Sequence, residues 1–314
     1  QLLPVEQVDG SGAMRRAAVL PSMVYLPPSG GEPIIGIGAK DHTSSLPGRV
    51  IQSAKSWLSQ GWSALEHEGR ILPWESEEIG PEDRLSAVQV SAMLLATFRA
   101  EWNRTIGAFA EEYRFEQQQI TITVPASFDE MATKLTRDSA ERAGFPSGVR
   151  LLEEPQAAFY SWLERHPERT LLAELATQSA AGVAVVLVCD VGGGTSDFSL
   201  FELRQARESD TLPEIRRIAV SDHIRLGGDN IDMTLAFELT RRFEDQGTKL
   251  GRTQGSHLLV KARQLKERVL GEVGDEERMH TVSLPSVGSG LFKGAVSTTI
   301  SEKEVRAIVV DGFF

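Results

Sequence analysis

A glycine turn between two apolar runs, at Val183–Leu203 (VAVVLVCDVGGGTSDFSLFEL), constrains this chain more than any other stretch. The β-rich run Val183–Cys189 ends at Asp190; Gly192, Gly193, Gly194 and Thr195 follow, and Asp197 opens a second strand-like run, Phe198–Leu203. Strand, turn and strand predict a hairpin with two carboxylates at its mouth. Glycine reaches backbone angles closed to other residues, so successive N–H groups can point into one concavity that no Cβ obstructs. Asp190 and Asp197 flank that concavity and suit Mg²⁺ held through water. The residues read as a cradle for a metal-bound polyphosphate. The bland alternative is a glycine-rich turn without function. Three glycines exceed what a tight turn needs, and two adjacent carboxylates repel each other without a cation.

Other glycine motifs fit worse. A Walker loop needs Gly-Lys-Ser/Thr opening a helix, and none occurs; a dinucleotide fingerprint needs G-x-G-x-x-G before a helix, whereas this turn feeds a strand. The 314 residues suffice for two lobes with sizeable cores. Lys and Arg total 33 against 44 Asp and Glu, a net charge of −11, which argues against nucleic acid or an anionic membrane as the main partner. No apolar run approaches the ~20 residues of a membrane helix. The single cysteine, Cys189, excludes an internal disulfide framework and suits a reducing cytoplasm; its apolar strand predicts a buried structural thiol. The chain opens at Gln1 without a signal-peptide pattern and closes on Asp311-Gly312-Phe313-Phe314, so both ends read as cuts through a longer protein.

Along the chain, residues 19–38 predict a hairpin around Pro27–Gly31, and a helix is expected around Arg49–Leu58. Residues 62–84 read as irregular and acidic. Ser86–Ile106 predicts a helix with a Ser86/Gln89 capping box, an apolar face of Leu94, Phe98 and Trp102, and Gly107 at its end. Then come a strand at Gln119–Val124, a helix at Glu130–Ala143, a strand at Arg150–Leu152 and a helix from Pro155 to Arg165. A polar connection at 166–182 precedes the glycine hairpin. Beyond it lie a strand at Ile215–Val220, helices at Ile231–Glu244 and Ser256–Leu270, strands at Thr281–Leu284 and Leu291–Ser297, and a helix capped by Ser301 and Glu304. No internal repeat is present. The alternation predicts an α/β protein split near residue 180.

Other constellations stay open on their residues alone. Glu154, before Pro155 at a strand-to-helix switch, reads as a capping carboxylate worth about 0.3–1 kcal/mol or as a functional acid. Gly227-Gly228 opens a helix whose free N–H groups favour an anion, unless Asp229 and Asp232 satisfy them locally. Lys55, in Ser53–Trp57, and Lys266, on a charged helix face, read as solvated lysines when taken singly.

In order, PSMVYL, Pro47–Leu58, ITVPASFDEMATKLTRDSAERAG, LLEEPQAAFY, VCDVGGGTSDFSL and LGGDNID resemble segments of the ATPase domain of DnaK-type heat-shock chaperones. The resemblance covers nearly the whole chain, and is nearest to a divergent bacterial chaperone-like subgroup with AKSWL and LLEEPQAAFY segments. It implies a two-lobed, actin-like ATPase (ribonuclease H-like) fold, truncated at both ends. Lobe I would span 1–179, with 20–84 a peripheral and 85–179 a core subdomain. Lobe II would span 180–314, with 180–226 and 302–314 its core and 227–301 its periphery.

The resemblance implies ATP or ADP with Mg²⁺ as ligands. Lys55 would contact the γ-phosphate and orient water, Glu154 would sit near that water, and Asp190 would act at metal and water. Gly192, Gly193, Gly194 and Thr195 would hold phosphates, and Asp197 would help order the ion. Gly227 and Gly228 would approach from lobe II, and Lys266 would lie along the adenosine. A peptide-binding segment, client or co-chaperone is the implied partner, in the cytoplasm, with neither nucleic acid nor membrane.

The chain departs from the pattern in four places. Nothing before Pro21 resembles the first phosphate loop, and the second adenosine loop is expected beyond Phe314. Arg263 or Gln264 stands where the family has an acid beside the ribose, and Thr133 where it has a coupling arginine. The expectation is weak ATP binding and little hydrolysis by this chain alone, with an unpaired lobe I sheet edge open to self-association. A nucleotide-dependent scaffold or sensor without turnover is the competing reading.

Overall fold

A computed structural model describes residues 2–59, 70–73, 76–165, 183–204, 214–222, 224, 226–271, 276–285 and 294–312. The chain begins with a hairpin that sequence patterning missed, β1 (Val5–Val8) against β2 (Met14–Ala17). Its turn is closed by Asp9, whose Oδ1 accepts from the Ser11 and Ala13 amides at 2.9 and 3.0 Å. Asp41 accepts from the Gly10 amide at 2.8 Å and ties the turn to α1 (Ile37–His42).

Next comes a three-stranded sheet in the order β4 (Ile34–Ile35), β3 (Met23–Tyr25), β5 (Val50–Gln52). Val24, fully buried, faces Ile35 on one side and Ile51 on the other. The expected hairpin at 19–38 is therefore present. The helix expected around Arg49–Leu58 is not: β5 runs to Gln52, and only α2 (Ala54–Leu58) is helical. Ser53 divides them at φ 55°, a left-handed angle no helix accommodates. Residues 62–84 also contain a strand, β6 (Arg70–Leu72), paired with β7 (Leu85–Ser86); of that stretch, 62–69 and 74–75 lie outside the described residues.

Helix α3 (Ala87–Thr105) starts as expected, with the Ser86 hydroxyl accepting from the Gln89 amide at 3.1 Å and the Gln89 side chain returning at 2.8 Å. Of its expected apolar face, Leu94 packs beside buried Ala87 and Val90, and Trp102 meets Phe115 edge-on with ring centroids 6.3 Å apart, while Phe98 is exposed. Strands β8 (Thr121–Val124) and β9 (Arg150–Glu153) pair in parallel, and α4 (Glu130–Arg142) makes the crossover. Helix α5 (Glu154–Arg165) follows β9 without a loop, and its Phe159 stacks on Phe201 with ring centroids 5.1 Å apart.

The second half opens with an antiparallel sheet, β10 (Val183–Val191), β11 (Ser196–Arg204) and β12 (Glu214–Val220). Helices α6 (Gly228–Asp245) and α7 (Arg252–Gly271) bury Leu235, Leu239 and Phe243 against Leu258, Ala262 and Leu265. The same core takes Val282 and Leu284 from β13 (Met279–Pro285), Ile300 from β14 (Ala295–Ser301) and Val305 from α8 (Glu302–Arg306). Of the strand expected at Leu291–Ser297, residues 291–293 lie outside the described residues. The expected connection at 166–182 lies outside the described residues.

Candidate functional site

The glycine hairpin forms in unbroken register, from Val183 opposite Arg204 to Val191 opposite Ser196. That register sets Asp190 directly across from Asp197. Asp197 is 3% exposed, and its Oδ2 accepts from the Thr195 hydroxyl at 3.4 Å. The Gly192 amide closes the turn on the Thr195 carbonyl at 2.8 Å. The amides of Gly193 and Gly194 meet no acceptor among the described residues, which leaves two donors for an anion. Among the described residues no group of three His, Cys, Asp or Glu side chains converges on a metal site.

Cys189 is exposed, contrary to the expectation of a buried thiol. Alternate residues of β10 face opposite sides. Val186 and Val188 pack with Phe201 and Leu203, whereas Val185, Leu187 and Cys189 point the other way and are exposed.

The turn lies against the start of α6. Gly228 and Asp229 donate their amides to the carbonyls of Gly192 and Gly193, at 3.0 and 2.7 Å. A Cβ at Gly227 would stand 2.5 Å from the Gly193 oxygen, so only glycine admits this approach. Neither sequence reading of the glycine pair describes it fully: the first helical amides serve the neighbouring turn, while Asn230 caps Gly227 at 2.9 Å.

On the other side of the turn stands α2. A Cβ on Gly194 would lie 2.7 Å from the Ser56 hydroxyl. Lys55, the residue before, forms an ion pair with Glu154 at the first position of α5. Two residues that looked like a solvated lysine and a helix cap are brought together, both partly open to solvent.

Between the halves of the chain lies a cavity of about 520 Å³. Its lining includes Gln52 and Ser53 from one half and Gly193, Gly228, Arg263 and Lys266 from the other. The turn of the first hairpin, residues 9–13, takes no part in it. Lys266 donates to the Gly228 carbonyl at 2.9 Å and pairs with Asp232 at 2.6 Å, so its amine sits at the turn end of the cavity. Arg263 bonds to Asp229 and Asp232 at 2.5 and 2.7 Å. Burial works against its charge, but these two carboxylates prevail and raise its pKa. Gln52, Ser53 and Ser56 were not singled out from sequence; no local signal marks them.

A model of the Hsp70 protein family matches residues 14–310. The chain belongs to the Hsp70 family. A chaperone protein HscA homologue of Shewanella frigidimarina is 29% identical over 261 residues, covering 79% of this chain and 36% of that protein. The HscA homologue of Pseudomonas putida is 31% identical over 229 residues, 69% of this chain and 32% of the other. That of Pseudoalteromonas atlantica is 27% identical over 316 residues, 96% and 45% respectively. The chain thus spans less than half the length of these Hsp70-type relatives. Among the described residues no helix is long and apolar enough to cross a membrane.

Proposed function

We propose that this chain is the nucleotide-binding part of an Hsp70-type chaperone and takes ATP or ADP with Mg²⁺ between two lobes of an actin-like fold. The lobes would be 1–179 and 180–314, with peripheral subdomains at 20–84 and 227–301. The observation that carries the reading is the meeting of the Gly192–Thr195 turn with the Gly227-Gly228 helix start, where Gly193 and Gly228 line the cavity, while α2 places Ser56 against Gly194 and Lys55 on Glu154.

In this reading the Gly193 and Gly194 amides receive phosphate oxygens, and Lys266 lies along the nucleoside. Asp190 and Asp197 are the residues that would hold Mg²⁺, which when bound draws charge from the phosphates. The Lys55 amine contacts the terminal phosphate and orients the attacking water, with Glu154 near that water. Phosphoryl transfer needs placed charges and no protein nucleophile, which matches this set. Hydrolysis would then change the closure of the lobes, a hinge motion passed to a peptide-binding segment, client or co-chaperone in the cytoplasm.

Arg263, on the helix where an acid would face the ribose, favours a second reading: a scaffold or sensor that binds nucleotide without turnover. Titration calorimetry with Mg²⁺-ATP and single-turnover hydrolysis, by this chain and by any longer form of it, separate the two. Binding with turnover supports the first reading, binding alone the second, and the absence of binding overturns both.

A further inference from the structure

Arg263 belongs to α7, yet its guanidinium ends on three residues in two parts of the chain. Nε donates to Asp232 Oδ2 at 2.7 Å and Nη2 to Asp229 Oδ1 at 2.5 Å, both on α6. Nη1 donates to Gln52 Oε1 at 2.7 Å, on β5 and 211 residues earlier. Asp229 returns across the same gap, its Oδ2 accepting from the Ser53 hydroxyl at 3.1 Å. Gln52 and Ser53 are consecutive, so Arg263, Gln52, Ser53 and Asp229 close a ring that crosses the cavity. The planar fork serves the three acceptors from three different nitrogens, whereas a lysine at 263 would carry all its donors on one atom. Lys266 takes the other oxygen of Asp232, so two cations face two carboxylates and the charges balance.

The ring closes on a strained point. Ser53 is the single non-glycine residue among those described with a positive φ, at 55°. That conformation costs roughly 1–2 kcal/mol and persists only where the surroundings hold it. Ala54, fully buried, and Lys55 follow immediately. The bend at Ser53 therefore sets the direction of α2, which aims Lys55 at Glu154 and brings Ser56 to Gly194.

We propose that Arg263 is a clasp between the two halves of the chain and a positioning residue for Lys55, acting through Gln52 and the Ser53 bend. It goes beyond the nucleotide reading and does not depend on it, because every contact is between side chains of this chain. Closure of the cavity and the placement of Lys55 become a single event. The helix position that would face a ribose is given over to holding the halves together.

The test needs no nucleotide, so a failure of ATP to bind leaves it intact. Spin labels on the exposed native Cys189 and on Ser45→Cys report the separation of the halves by pulsed electron resonance. Hydrogen exchange at Ser56–Leu58 reports the seating of α2. The parent chain is expected to give one narrow distance. Gln52→Ala should broaden and lengthen it and speed exchange about 10-fold or more. Gln52→Glu, whose carboxylate accepts the same bond, should behave like the parent. Arg263→Ala should open the cavity too, but it strands two carboxylates and can unsettle α6, so Gln52→Ala is the deciding variant. A parent-like distance and exchange in Gln52→Ala, or a Gln52→Glu protein as open as Gln52→Ala, overturns the clasp.

Discussion

Lys55 and Glu154 stand 99 residues apart in the chain and form an ion pair beside the glycine turn. Lys55 comes from a five-residue helix that cannot be stable by itself, and Glu154 from the first turn of α5. Both are partly solvated, so their pairing adds little to stability.

The first prediction separates a role in chemistry from one in holding the fold. Lys55→Met and Glu154→Gln should each leave the unfolding midpoint nearly unchanged and keep Mg²⁺-ATP affinity within a few-fold. Hydrolysis, by this chain or by any longer form of it, should fall on the order of 10²–10³, the range for one preorganised electrostatic group. Single-turnover assays with calorimetry measure both. Lost binding together with a lower melting temperature would return Glu154 to a helix cap and Lys55 to a structural partner.

Glycines at the two ends of the turn contact should respond in opposite ways. A Cβ at Gly193 meets nothing nearer than 3.7 Å, whereas one at Gly227 falls 2.5 and 2.6 Å from two carbonyl oxygens. Gly193→Val should thus change unfolding free energy by less than about 0.5 kcal/mol yet weaken ATP binding at least ~10-fold by filling the phosphate cradle. Gly227→Ala should cost about 1–3 kcal/mol by forcing the turn off α6. Equal stability losses in the two, measured by urea unfolding, would mean that the turn is only structural.

Asp190 and Asp197 face each other across the hairpin, and like charges placed directly opposite in a sheet repel. Without divalent ions, Asp190→Asn should raise stability by about 0.2–1 kcal/mol. The same change should lower ATP turnover on the order of 10²–10³. Magnesium with ADP should then raise the melting temperature of the parent and barely move that of the variant. An Asp190→Asn protein that responds to magnesium as the parent does would remove Asp190 from the ion site.

How far the sequence reveals this molecule depends on the range of the force at work. The Ser86/Gln89 and Ser301/Glu304 caps are satisfied within three residues, and both were legible. The glycine hairpin was legible because its strands and its turn each carry a strong local signal. At Gln52–Ala54 the switch from strand to helix hinges on a serine in a left-handed conformation, a state usually marked by glycine or asparagine. Cys189 misled because β10 is apolar on both faces, and alternation cannot say which face is covered. The Arg263–Gln52 bond joins residues 211 apart and leaves no trace in either neighbourhood. The segments that meet around the glycine turn were legible through the order of their motifs; the ring of Arg263, Gln52, Ser53 and Asp229 was not.

The last prediction concerns acid. The Arg242 guanidinium bonds to Glu304 at 2.8 Å, and the Ser301 amide and hydroxyl bond to its other oxygen at 2.9 Å each. Together they hold its carboxyl down at about 2, against an ordinary 4.5. A depressed acid contributes stability that is complete above its unfolded value and is lost as pH falls toward its folded value. Glu304→Gln preserves the cap but offers Arg242 no charge, so at pH 7 the variant should unfold at lower urea than the parent. Between pH 4.5 and 2 the parent protonates Glu304 and the gap should close. Glu304 is nearly half exposed, so the gap at pH 7 should also shrink at high salt. The remaining carboxylates titrate alike in both proteins, so the difference isolates this one. Urea midpoints at pH 7, 5 and 3 decide it: a gap of the same size at pH 7 and pH 3 would show that the Arg242–Glu304 pair does not contribute through charge.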